Sequence, residues 1–282
     1  MLVRVAAVLV AALALNAQNQ PNPQFIGKGV NFYSIDKEAA LGAQLATEFR
    51  RQHSPLNSDA ARAYVEQMGA RLVQALPQRS PFTYRFELTA DTTGTFLEPA
   101  ALPAGYIFVP AGLILATTSE AELAGTLAHA MSHILARHST RQATRGDIAQ
   151  PVTIPLIWMG SVGYGYGGTP DAGLVLPVGM LPSQRQYESE ADLIAVEIAS
   201  SAGYDPAGLA QYIRRVQQDP PPAQARLSPF PSRDSRVQAI EKAIQALPTQ
   251  TYAASGDFAR IQGEVRLALP PPPNAPKPTL QR

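Results

Sequence analysis

The sequence predicts an α+β fold, mostly helical with one small sheet, and three observations carry that prediction. Apolar residues recur at helical spacing in several separate stretches, each opened by a capping residue. Two short segments, residues 82–88 and 105–109, alternate or concentrate β-prone side chains. Hydrophobic residues make up 45% of the 282 and charged residues 16%, enough apolar material for one large core.

Taken in order, Arg4 precedes an apolar run over residues 5–15 and a polar Asn/Gln stretch. That layout reads as a signal peptide over residues 1–17, cleaved after Ala17; an uncleaved membrane anchor would need a longer apolar run. Residues 18–30, rich in Asn, Gln, Pro and Gly, read as a linker. A domain is expected over residues 31–268. Its first helix opens at Ser34, with Ala39, Leu41, Leu45 and Phe49 at helical spacing. A second runs over about 58–76 with Ala63, Val65, Met68 and Leu72 inward. After the two strand signals, Ser119 caps a helix expected to continue to about Ala143. Residues 151–182 are apolar and Gly-rich but are interrupted by Pro155, Gly160, Pro170, Asp171 and Pro177, so they read as a long loop. A helix over 183–202 ends at Gly203 as a left-handed cap, and shorter helices are expected over 206–217 and 232–247. The tail over 269–282, with four consecutive prolines, reads as extended or disordered.

Composition excludes several classes of function. The net charge is +1, which offers no footprint for nucleic acid. There is no cysteine, so disulfides, thiolate catalysis and Cys-ligated metals are ruled out. Any metal must be held by His, Asp or Glu.

The chain has four histidines, His53, His129, His133 and His138. His129 and His133 lie four apart on a strongly helical run, so their Cβ atoms share one face roughly 5–6 Å apart. Both imidazoles can converge on one ion at about 2.0–2.1 Å. A second predicted helix carries Glu188 and Asp192, also four apart. Glu188 can supply a third ligand, and Asp192 can accept the outer N–H of a ligating histidine.

These residues resemble those of the CAAX prenyl protease/HtpX-type zinc metallopeptidase family, a gluzincin-like group with H-E-x-x-H on one helix and E-x-x-x-D on another, here in its periplasmic branch. The likeness runs from about Asn31 to about Leu267. It includes Glu122-Leu123-Ala124 before the histidine pair, Ala136-Arg137-His138 after it, and Ala202-Gly203-Tyr204-Asp205-Pro206 beyond the acidic helix. The resemblance implies a zincin-like domain with the sheet beside the metal helix and one Zn2+ per chain. By it, His129, His133 and Glu188 are the ligands and Asp192 is the orienting carboxylate.

The pattern breaks at Ala130, where the family has glutamate. In such sites that glutamate takes a proton from the attacking water and returns it to the leaving amine. Losing such help costs about 10²–10⁴-fold, so proteolysis should be at most residual. An engineered Glu→Ala change would leave the remaining pattern intact, yet two other positions also depart. Pro99 stands at the family's edge strand and removes an N–H that could be offered to a peptide. Phe230 replaces a histidine near the metal region, while Arg236 is retained as a candidate catalytic residue. Glu98 is a candidate substitute base, and an exposed strand carboxylate is its ordinary fate. His138 reads as a cation at a helix C-terminus. Arg137 and Arg185 read as ion-pair partners of nearby carboxylates, and Tyr164 and Tyr166 as packing aromatics.

The expected function is that of an exported zinc-binding pseudopeptidase, or a strongly impaired endopeptidase, acting on peptides or unfolded envelope proteins in the periplasm. The alternatives are an active enzyme with another acid and base, an engineered inactive form, or a chaperone-like peptide binder. Residues 155–182 offer a peripheral membrane contact.

Overall fold

The computed structural model describes residues 26–27, 29–92, 98–149, 180–252 and 256–270. The signal-peptide segment, nearly all of the apolar 155–182 segment (with Tyr164 and Tyr166) and the tail beyond residue 270 lie outside the described residues. In chain order the described residues form α1 (Ile35–Gln52), α2 (Asp59–Gln74), β1 (Arg85–Thr89), β2 (Ala100–Leu102), β3 (Tyr106–Pro110), α3 (Ala111–Ala116), α4 (Glu120–Leu135), α5 (His138–Ala149), α6 (Leu181–Ser201), α7 (Ala207–Val216), α8 (Arg233–Gln245) and α9 (Phe258–Ala268). None of these helices is long and apolar enough to cross a membrane.

Serine caps start four of them. Ser34, Ser58, Ser119 and Ser232 each accept from the backbone N–H three residues on. A cap of this kind contributes about 1 kcal/mol. Gly203, at φ +83°, closes α6, and the N–H of Tyr204 reaches back to the Ala199 carbonyl. Pro182 sits in the first turn of α6, where its missing N–H costs nothing.

The sheet has the order β1-β3-β2, with β1 parallel and β2 antiparallel to β3. A three-residue turn joins β2 to β3. Gly105 there takes φ +96°, and a Cβ at that position would lie 2.2 Å from the Thr83 carbonyl oxygen. One face of the sheet, carrying Ala100, Leu102 and Phe108, packs on Ala46 and Phe49 of α1, and the other, carrying Leu88, Ile107 and Val109, joins the core formed with α2 and α4. Helix α4 is buried along almost its whole length, in contact with α2, α6 and α7. Its Leu123, Leu127, Ile134 and Leu135 join the main core with Val65, Met68 and Leu72 of α2.

Several elements differ from the sequence reading. The helix expected from Ser119 to Ala143 is two helices, because Arg137 takes φ +56° and turns the chain. A left-handed non-glycine residue costs about 1–2 kcal/mol. Here the Arg137 side chain offsets that cost by bonding buried Glu38 at 2.7 Å and the Tyr33 carbonyl at 2.6 Å. The same ion pair rotates α1: Glu38, Gly42, Ala46 and Phe49 face inward, whereas Ala39 is exposed. In α2, Ala61 and not Ala63 is buried. Helices α3 and α9 carry no counterpart in the sequence reading. Phe258, Ile261 and Val265, all buried, give α9 the spacing that would have revealed it. The end of the segment read as a linker is tied down: the Gly27 N–H donates to Glu190 at 3.3 Å. Just beyond it, Asn31 and Phe32 bond Thr140 and Thr144 of α5.

Helices α4 and α7 cross on two glycines. A Cβ on Gly208 would lie 2.3 Å from the Ala121 backbone, and one on Gly125 would lie 2.8 Å from the Leu209 nitrogen. Gly208→Ala is expected to destabilise the protein by about 1–3 kcal/mol through overpacking. Gly263→Ala, inside α9 with nothing within 4 Å of the new methyl, should stabilise by about 0.4–1 kcal/mol. Urea unfolding of the two variants checks both signs.

Candidate metal centre

Helix α4 presents His129 and His133 one turn apart, and α6, packed along it, presents Glu188. Small residues in the shared core, among them Ala124, Ala128 and Ala195, keep the helix pair close. The two Nε2 atoms lie 3.1 Å apart. Glu188 Oε2 lies 3.4 Å from Nε2 of His129 and 3.7 Å from that of His133. Tetrahedral bonds of about 2.0–2.1 Å would place donor atoms roughly 3.3–3.4 Å apart. The three separations bracket that value, so the donors fit a single divalent ion without rearrangement. Among the described residues this is the group whose His and carboxylate donors converge in this way.

The electrostatics also favour a cation. Burial opposes charge on His129, yet the carboxylates of Asp192 and Glu188 outweigh it and push the imidazole up to about 9. Burial would raise Glu188, but His133 and His129 hold it well below the usual carboxylate range. Gln184 donates to Glu188 Oε1 at 2.7 Å, which leaves Oε2 facing the imidazoles. Two buried carboxylates meeting two imidazoles therefore make a well for positive charge.

Asp192 lies behind His129, its Oδ1 2.9 Å from Nδ1, although the approach is off-line for a well-formed hydrogen bond. Arg236 clamps the same carboxylate from α8. Its Nε and one terminal nitrogen donate to the two Asp192 oxygens at 2.7 Å each, and the other donates to Gln217 at 3.0 Å. Burial would raise Asp192, and Arg236 with His129 holds it low.

The second imidazole has its own support. His138 Nδ1 lies 3.1 Å from Nδ1 of His133, and His138 Nε2 lies 3.2 Å from Glu190. His138 is therefore not a cation at a helix C-terminus. It opens α5, is buried against the Tyr187 ring at 4.5 Å, and burial lowers it to about 4, so it is neutral. The turn at Arg137 is what brings it back over α4. Burial opposes ionisation of Glu190, but His138, Arg141 and the Gly27 N–H lower it to about 2.

The residues singled out in the sequence separate clearly. His129, His133, Glu188 and Asp192 come together. Arg236, expected as a catalytic candidate, sits behind Asp192 with Phe230 stacked 5.7 Å from its guanidinium. Ala130 is buried beside His129. Pro99 precedes β2, so Ala100–Leu102 keep their N–H groups. Glu98 is half-buried before that strand, near enough to Tyr212 to add to the burial that raises its phenol. Arg137 pairs with a carboxylate as expected. Arg185 instead donates to the backbone carbonyls of Arg226 and Ser228. Sequence reasoning missed Glu190, because a residue two places from Glu188 faces another side of the helix, and missed His138 because the helix break was invisible.

A histidine pair and a carboxylate on two packed helices beside a small sheet define a metallopeptidase-type domain. Comparison with known families makes this specific: the model of peptidase family M48 matches residues 57–244, about two thirds of the chain, and the chain belongs to that family. It is 28% identical over 241 residues to the beta-barrel assembly-enhancing protease of Yersinia pestis, covering 80% of this chain and 47% of that protein. The protein of the same name in Escherichia coli K12 is 25% identical over the same shares. The mitochondrial metalloendopeptidase OMA1 of Schizosaccharomyces pombe is 26% identical over 182 residues, covering 64% of this chain and 52% of the relative. The chain thus spans about half the length of the curated relatives it matches.

Removing Arg236 would strand the Asp192 carboxylate inside the protein. Arg236→Met is expected to cost about 3–5 kcal/mol, the range for breaking a buried pair by deleting one partner. Arg236→Met combined with Asp192→Asn should recover part of the loss. A double-mutant cycle in urea unfolding checks that coupling.

Proposed function

We propose that this chain is an exported, periplasmic zinc-binding member of the family, impaired as a peptidase, that holds unfolded envelope proteins or their peptides. The observation that carries the reading is an intact three-donor set next to Ala130. Within the family we assign it to the exported branch of the CAAX prenyl protease/HtpX-type sequences, on the flanking motifs at residues 122–124, 136–138 and 202–206.

In this reading His129, His133 and Glu188 hold one zinc ion, and Asp192, clamped by Arg236, orients the His129 ring. Zinc held there supplies Lewis-acid polarisation of a peptide carbonyl. What the chain lacks is the partner for the proton. The Ala130 methyl can neither accept a proton from an attacking water nor return one to a leaving amine, a deficit of about 10²–10⁴-fold. Among the described residues β2 pairs with β3 alone, which supports an extended peptide as an added strand on its other edge. The relatives named for enhancing β-barrel assembly support envelope proteins as the partner class.

The test is metal content of the purified protein by mass spectrometry, with casein cleavage by the parent and by Ala130→Glu. The expected result is about one zinc per chain in both, with chelator-sensitive cleavage at least about 10²-fold faster in Ala130→Glu. Cleavage by the parent at a rate matching Ala130→Glu would overturn the impaired-peptidase reading. Zinc with no cleavage in either variant would favour binding alone, and a metal-free parent would remove the zinc assignment.

A further inference from the structure

We propose that His138 and Glu190 form a positioning relay that fixes the tautomer and ring angle of His133, as Asp192 and Arg236 do for His129. The inference rests on the metal reading above and extends it to residues outside the donor set. Its basis is the direction in which each proton must point.

Nε2 of His133 faces the other donors, 3.1 Å from Nε2 of His129 and 3.7 Å from Glu188. A ligating nitrogen offers its lone pair, so the His133 proton must sit on Nδ1. The atom within reach of that proton is Nδ1 of His138, at 3.1 Å. It must then be bare and accept, which places the His138 proton on Nε2. That nitrogen lies 3.2 Å from Glu190 Oε2, an acceptor. One choice at His133 therefore sets every donor and acceptor along the chain, ending on a carboxylate.

The terminus is itself anchored. Arg141 lies 3.4 Å from Glu190 Oε2, and the Gly27 N–H donates to Oε1 at 3.3 Å. His138 is held flat by stacking on Tyr187, with interplanar angle 23°, and Arg141 lies 4.8 Å from the same ring. A histidine that only filled space would not need both ring nitrogens aligned to partners at hydrogen-bond distance. A methyl-bearing residue at Gly27 would be disfavoured too, since its φ is +71° and a Cβ would lie 3.2 Å from the Ala136 carbonyl oxygen. The N-terminal segment is thereby drawn to the relay's end.

The experiment uses the full mature chain and zinc ions, with affinity read by chelator competition. His138→Leu keeps volume but offers no acceptor, and its zinc dissociation constant should rise about 10–100-fold. His138→Asn places Oδ1 where Nδ1 was but severs the link to Glu190, so it should recover part of that loss and not all of it. Melting temperatures of the metal-free variants separate lost packing, which would affect both substitutions, from lost orientation, which would not. Ring ¹⁵N shifts of the zinc-loaded parent give a reading that needs no substitution and stands even where a variant fails to fold. They should show protons on Nδ1 of His133 and Nε2 of His138. Parent-like zinc affinity in His138→Leu, or a protonated Nδ1 on His138, would overturn the relay while leaving the zinc site standing. A parent that binds no zinc would remove both.

Discussion

Two carboxylates buried between α4 and α6 constrain much of the remaining architecture. Glu188 and Asp192 are each almost wholly withdrawn from water. An unpaired buried ion costs several kcal/mol, so each demands a partner delivered by another element. Asp192 takes Arg236 from α8, which explains why a helix from late in the chain must return to the centre. Glu188 takes the imidazoles of α4 and the amide of Gln184. The close packing of α4 with α7 and of α7 with α8 is what holds Arg236 at that depth.

The same demand organises the periphery. Glu190, two residues from Glu188 on α6, is reached by α5 through His138 and Arg141 and by the N-terminal segment through Gly27. Glu38 on α1 is buried and satisfied by Arg137 and Thr140. Buried polar networks of this type rigidify a site when every member is satisfied. The left-handed turn at Arg137 serves both networks at once. It aims the guanidinium at Glu38 and swings His138 onto His133.

Beside this donor set Ala130 offers only a methyl group, and the buried ion pairs around the imidazoles do not involve it. Glu188 and Asp192 are paired by Gln184, Arg236 and the imidazoles, so the desolvation cost of burying them is offset by the chain's own side chains.

Much of this was legible in the one-dimensional pattern. Spacing of four placed His129 with His133 and Glu188 with Asp192 on single helix faces, and the serines at 34, 58 and 119 located three helix starts, because both are local effects of helix geometry. The absence of cysteine and the alanine at position 130 are likewise facts of sequence alone, and they limit the ligand types and the acid–base chemistry. What only the tertiary structure decided are relations between distant segments: the rotation of α1 onto Glu38, the placement of Arg236 behind Asp192 and not at the metal, and the meeting of His133, His138 and Glu190. The first and last of these depend on a backbone reversal at Arg137 whose stabilising partners lie about 100 residues away. A local pattern carries no record of such a partner, since the energy that holds the turn appears only once the chain has folded.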